Sequence, residues 1–190
     1  MKPILLAAAL AVSATSAFAA AEKYVLDSSH SQVVFTYNHL GFSTTTGMFS
    51  GFEGEIMFNQ ADPAASSVTV SMPVVEMITG WKPREDHFMS EDFFAAAEGD
   101  LATFTSTGIE VTGENTAKIT GDLTLNDITK PVVLDATLNQ VGEHPMAGKQ
   151  WAGFDATTTL LRSDFDLGQF APFVSDEVVI SISIEAQKAE

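Results

Sequence analysis

Ala117-Lys118-Ile119-Thr120-Gly121-Asp122-Leu123-Thr124-Leu125-Asn126 decides the fold class. Its odd positions, Ala117, Ile119, Gly121, Leu123 and Leu125, are apolar or small. Its even positions, Lys118, Thr120, Asp122, Thr124 and Asn126, are polar. Successive side chains of an extended chain point to opposite faces, so this period of two marks a strand with one dry face and one wet face. Working outward, 131–140 sets Val132, Leu134, Ala136 and Leu138 against Val133, Asp135, Thr137 and Asn139. Near the end of the chain, Val178, Ile180, Ile182 and Ile184 oppose Val179, Ser181, Ser183 and Glu185. Weaker alternation covers 32–39, with Val33, Phe35 and Tyr37 on one side, and 52–58, 68–74, 101–107 and 151–161. Turn residues separate these runs at Asn59-Gln60-Ala61-Asp62-Pro63, Thr112-Gly113-Glu114-Asn115, Asn126-Asp127 and Ala147-Gly148. Half-polar strands of this kind belong to antiparallel sheets.

One internal segment, 84–97, reads as helix: Phe88, Phe93 and Phe94 alternate with acidic residues and Gly99 follows as a stop signal. Within it, Ser90-Glu91-Asp92 offers a cap for a second short helix. The expectation is an all-β domain of eight or more antiparallel strands, with one helical excursion between the third and fourth long ones. A sheet of that size manages its edges by closing into a barrel or doubling into a sandwich. Alternation does not say which face is inside, and an outer-membrane barrel shows the same period with its apolar residues outward. The aromatic content favours the inward reading. Two Trp and two Tyr are too few for interfacial girdles, whereas the many Phe suit a dry interior.

The chain has 190 residues, with 25 acidic and nine basic side chains, for a net charge of −16. Such a charge gathers neither phosphates nor acidic headgroups, which removes nucleic-acid binding from consideration. The absence of cysteine removes disulfides, thiolate metal sites and thiol nucleophiles together. At the N-terminus, Met1-Lys2 precedes an apolar run over 4–12, and Ala17-Phe18-Ala19 has the small-x-small form of a signal-peptidase site. The run is too short to span a bilayer, so 1–19 is expected to be a cleaved leader and 20–190 a single exported domain. Loss of Lys2 leaves eight basic and 25 acidic residues, a mature charge of −17. A short, Lys-started, Ala-rich leader points to a bacterial periplasm.

Signals for chemistry are thin. His87 lies four residues before Glu91 and next to Asp86, a spacing that on a helix face can be drawn as a metal site, although a solvated helix face explains it as well. His39 extends the Val33, Phe35, Tyr37 face, so it is either a core histidine or the polar group that orients a ligand. Arg162 and Asp164 suggest a charged pair at a strand end. No serine sits in Gly-x-Ser-x-Gly or Ser-x-x-Lys, and no phosphate loop occurs.

Several segments stand in a fixed order along the chain: Asp27-Ser28-Ser29-His30-Ser31 leading into 34–43, Gly47-Met48-Phe49, and Arg84-Glu85-Asp86-His87-Phe88-Met89-Ser90-Glu91-Asp92-Phe93-Phe94. They continue through Gly121-Asp122-Leu123-Thr124-Leu125, Thr129-Lys130-Pro131-Val132, Gly153-Phe154-Asp155-Ala156, Arg162-Ser163-Asp164-Phe165 and Val174-Ser175-Asp176-Glu177-Val178. In their order and spacing the chain resembles the YceI-like periplasmic proteins, the polyisoprenoid-binding family with a lipocalin-like barrel. The chain departs from the family at Phe88, where Leu is frequent, and at Ala97-Glu98-Gly99-Asp100, in place of an aromatic-proline segment. Phe88 is expected to shorten a cavity.

The resemblance implies a barrel of about eight strands whose long cavity holds an isoprenoid, such as a quinone tail, or a similar amphiphile. The candidate lining is Phe35, Tyr37, Phe52, Ile56, Phe58, Val70, Met72, Phe88, Phe93, Phe94, Leu123, Leu134, Phe154 and Ile182, with His39 and Arg162 at the head-group end. This reading makes the protein a periplasmic carrier rather than an enzyme, with no cofactor, metal, nucleic acid or stable membrane insertion, and with a homodimer allowed. Two alternatives stand beside it: an enzyme using His39 on a lipophilic substrate, and a structural module whose barrel is packed by its own side chains.

Overall fold

The computed structural model describes residues 20–190, so the expected leader, 1–19, lies outside the described residues. Ten strands form one antiparallel sheet: β1 (Glu22–Leu26), β2 (Gln32–His39), β3 (Ser43–Phe49), β4 (Glu53–Phe58), β5 (Ser67–Pro73), β6 (Leu101–Val111), β7 (Thr116–Leu125), β8 (Ile128–Glu143), β9 (Gln150–Leu161) and β10 (Glu177–Lys188). A single helix, α1 (Lys82–Phe88), sits between β5 and β6. From β4 to β10 the strands form a meander, each paired with the next. Closure comes from β1, which pairs with β4 on one side and with β10 on the other.

The result is a barrel of eight staves, two of them broken. β1 pairs with the end of β10, through Tyr24 and Lys188, while β2 pairs with its first half, through Phe35 and Ile180. β1 and β2 therefore lie end to end along one edge. β3 and β4 share the next stave in the same way. Beyond the reach of β5, β3 keeps only a bridge between Met48 and Ile78, in the segment after β5. Helix α1 and the turns that follow it fill this end, called the upper end below.

The dry faces expected from alternation point inward: Ile119, Leu123, Leu134, Ile180 and Ile182 all face the lumen, and Lys118 and Asp135 pair outside at 2.6 Å. The outward positions of β7 lack the apolar band that an outer-membrane barrel needs. Gly121 interrupts the dry face of β7 for a steric reason, because the Phe104 ring occupies the space a Cβ there would need. The Phe35 ring does the same over Gly47.

Three departures from the sequence reading have local causes. β1 and β3 were not expected: β1 is short, and the Ser-Thr-Thr-Thr start of β3 hides its inward Thr45, Gly47 and Phe49. The helix expected over 84–97 ends at Phe88. Ser90 Oγ donates to the His87 carbonyl at 2.7 Å, the Phe94 amide turns back to the Phe88 carbonyl, and Ala95 takes φ 46°. A short hydroxyl competing for helix carbonyls is a common way to end a helix, and here the turn swings Phe93 and Phe94 toward the lumen.

Candidate lipid-binding lumen

Two adjoining cavities fill the barrel. The lower one, about 240 Å³, is lined by Phe52, Ile56, Phe58, Val70, Met72, Leu123, Leu134, Phe154 and Ile182 among others. The upper one, about 670 Å³, is lined by Phe35, Tyr37, His39, Phe88, Phe93, Phe94 and Arg162 among others. Every residue named as candidate lining thus sits on one of the two. Phe49, Leu125, Leu160 and Ile180 belong to both walls, so the cavities meet there. A barrel packed solid by its own side chains is not what these residues build.

The lower cavity is almost wholly aliphatic and aromatic, with Glu114, Asn115 and Asp155 near its outer end. The upper cavity carries the polar groups: Tyr37, His39, Ser43 and the buried Thr45. An aromatic chain runs up its wall. Tyr37 and Phe88 have ring centroids 6.3 Å apart, Phe88 and Phe93 5.2 Å, and Phe93 and Phe170 6.1 Å. Phe88, the family departure expected to shorten the cavity, is one link in this chain.

Arg162 stands on the upper wall, but its donors are engaged. Nε donates to the Ser175 carbonyl at 2.9 Å, Nη1 to Leu167 at 2.6 Å and Gln169 at 3.1 Å, and Nη2 to Val174 at 3.0 Å. Partial burial lowers its pKa from the ordinary value, and the Asp176 carboxylate opposes that shift. The guanidinium is the hub of loop 162–176, which leaves little of it for a head group. The expected Arg162–Asp164 pair is not formed; Asp164 faces Lys130 at 3.9 Å. Asp176 instead accepts from the Ser163 amide and hydroxyl, which holds its carboxyl below the usual range.

The drawn metal site at His87, Glu91 and Asp86 also dissolves. Because α1 stops at Phe88, Glu91 leaves the helix face; His87 Nε2 meets Asp92 at 3.0 Å and Asp86 pairs with Lys82. Among the described residues the one cluster of His and carboxylates with ligand-like spacing is Asp27, His30 and Glu185, outside the lumen. His30 Nδ1 lies 2.6 Å from Asp27 Oδ2, and Ser29 gives Asp27 both its amide and its hydroxyl. His39 lies at the end of β2, exposed, with its backbone bridged to Val174. No carboxylate is hydrogen-bonded to its ring among the described residues.

Sequence reasoning missed the lumen residues of irregular segments: Trp81, Phe165, Leu167 and Phe170. No period exists there to read. Phe49, Leu125, Leu160 and Ile180 were legible in principle, since each continues a dry face by steps of two.

The YceI-like domain pattern matches residues 24–186, nearly all of the barrel. The chain belongs to the YceI-like family. A UPF0312 protein of Ectopseudomonas mendocina is 41% identical over 169 residues, covering 88% of each chain. Among solved structures, BcnA of Burkholderia cenocepacia superposes with a TM-score of 0.76 at 27% identity, over 84% of this chain and 98% of that one. A domain of Saccharophagus degradans described as polyisoprenoid binding gives a TM-score of 0.68 at 14% identity, over 87% of this chain and 98% of that one. The last likeness is one of fold. In this YceI-like chain the family barrel is closed, its apolar faces line it, and no described helix is long and apolar enough to cross a membrane.

Proposed function

We propose that this YceI-like protein is a periplasmic carrier of an isoprenoid, quinone-like lipid or similar long-chain amphiphile held along the barrel axis. The observation that carries the reading is the lumen itself: two apolar cavities placed end to end and joined at Phe49, Leu125, Leu160 and Ile180. The twelve residues of β10 span roughly 40 Å at about 3.3 Å each, or about 30 Å along the axis of a barrel with strands tilted by about 40°. A long, thin, apolar ligand matches that shape better than a compact one.

The polar end belongs at the top. Tyr37 Oη, Thr45 Oγ1 and the His39 ring line the upper cavity and form no side-chain hydrogen bond within the described residues. They suit an uncharged acceptor such as a quinone carbonyl, whereas the engaged Arg162 offers little to a phosphate. The fold relative described as polyisoprenoid binding supports the ligand class. The leader-like 1–19 supports the compartment.

Energetics set the mode of action. At about 0.8 kcal/mol per methylene, a tail of roughly forty carbons gains on the order of 30 kcal/mol on leaving water. Free diffusion of such a lipid is negligible, yet a bilayer solvates the tail as well as a protein does. Net preference for the lumen over the membrane is therefore small and the cargo exchanges. The test is organic extraction of the protein purified without detergent from the periplasm, followed by mass spectrometry. A polyprenyl lipid near one equivalent is the expected result; an empty extract together with no uptake of added ubiquinone would sink the reading.

A further inference from the structure

The outer surface of the upper end carries a feature that lipid storage alone does not use. Four aromatic side chains are exposed among the described residues: Phe42 at 90%, Phe173 at 75%, Trp81 at 59% and Phe170 at 50%. They come from three separate segments, yet all belong to the upper end. Phe42 follows the tip of the β2–β3 hairpin, Trp81 precedes α1, and Phe170 and Phe173 lie on loop 162–176. Leu40 joins them, its amide bonded to the Phe173 carbonyl at 3.1 Å. Among the described residues the opposite end exposes no aromatic side chain, and its exposed large apolar residues, Val25, Val111 and Met146, are aliphatic.

Backbone conformation marks this rim independently. Leu40 and Phe170 take φ 56° and 65°, the left-handed region where Gly or Asn is favoured and a bulky side chain is strained. Charge narrows the occupant. At the rim Lys82 is paired with Asp86 and His87 with Asp92, Arg84 lies over the Trp81 ring at 5.6 Å, and Glu91 and the loop's own Asp166 line one polar cleft. No basic patch is available for an anionic surface. A zwitterionic surface, with ammonium groups for the carboxylates and an interfacial layer for Trp and Phe, matches the rim.

We infer that the upper rim, Leu40, Phe42, Trp81, Phe170 and Phe173, is a docking surface for a zwitterionic phospholipid bilayer, set around the mouth of the lumen. The Phe88–Phe93–Phe170 chain then makes an apolar path from the bilayer interface to the upper cavity. The inference rests on the carrier reading only for its purpose.

The test uses the Trp151→Phe chain, in which Trp81 is the sole tryptophan. With vesicles of phosphatidylethanolamine and phosphatidylcholine, Trp81 emission should shift to shorter wavelength, be quenched by brominated lipid, and follow co-sedimentation. Adding Phe42→Ser and Phe173→Ser should weaken binding by about tenfold or more, and phosphatidylglycerol in the vesicles should weaken rather than strengthen it. Both positions are highly exposed, and unchanged circular dichroism will show that the variant folds. No shift and no co-sedimentation overturn the inference. Binding that the double substitution leaves intact overturns it too. Dimerisation by light scattering that the double substitution abolishes, without vesicle binding, assigns the rim to a second copy and likewise overturns it. Uptake of ubiquinone from detergent separates the two readings: a protein that docks but takes up no lipid keeps the rim and loses the carrier.

Discussion

Arg162 is a charged residue at the wall of an apolar cavity, and its role follows from counting donors. Four of its five N–H groups meet the carbonyls of Leu167, Gln169, Val174 and Ser175, each of which has no regular ladder partner in the loop. Truncation leaves those acceptors to whatever water reaches them. Arg162→Ala should therefore destabilise the protein by about 2–4 kcal/mol, discounted from the full loss of several charge-assisted bonds because the side chain is only partly buried. Arg162→Lys should recover little, since an ammonium has no planar fork to reach carbonyls on two sides. Urea denaturation measures the loss, and amide exchange should locate it in 162–176. A midpoint unchanged in both variants would remove the loop-hub role. The expectation that Arg162 sits at the head-group end came with the carrier reading, whereas its spacing alone suggested a pair with Asp164; the competing demand, backbone carbonyls in an irregular loop, leaves no trace in residue spacing.

At the scale of elements, strands with one wet face were legible because each carries its own period, and β7, β8 and β10 need no partner to be recognised. β3 was not, because Ser43-Thr44-Thr45-Thr46 reads as polar throughout and only its pairing with β2 gives it an inward face. The turn joining β1 to β2 is held by charge as well as hydrogen bonds. Asp27 bonding raises the pKa of His30, and the His30 and Ser29 bonds lower that of Asp27. The signs define a window. The His30 contribution is complete below the free value of about 6.5 and fades as pH rises through the raised one. The Asp27 contribution is complete above about 3.9 and fades as pH falls through the lowered one. The turn is thus tightest under mildly acidic conditions, and an NMR titration should give His30 a midpoint above the free value that falls toward it in Asp27→Asn, with Glu185 still in place. A midpoint indifferent to Asp27→Asn would show that the contact is not populated in solution.

For the whole molecule, closure and content are linked. A ring of eight staves is about the size at which side chains either fill the interior or leave room for one ligand. Here the balance is set by small residues and by rings that fold over glycine, Phe104 over Gly121 and Phe35 over Gly47, which keep bulk against the wall. The junction of the two cavities is the narrow element of this plan. Leu160 lies on both walls, in β9, so Leu160→Trp should fill the passage while leaving the other lining residues of each cavity in place. On the carrier reading, uptake of a long polyprenyl quinone should fall by about tenfold or more, as expected when overpacking costs 1–3 kcal/mol at a site the ligand must cross. A short farnesyl analogue, which the upper cavity alone accommodates, should be taken up nearly as before. Equal loss for both lengths would mean that the variant has distorted the barrel, which near-ultraviolet circular dichroism will detect. Equal retention would mean that the tail does not pass Leu160, and the ligand would then be confined to the upper cavity.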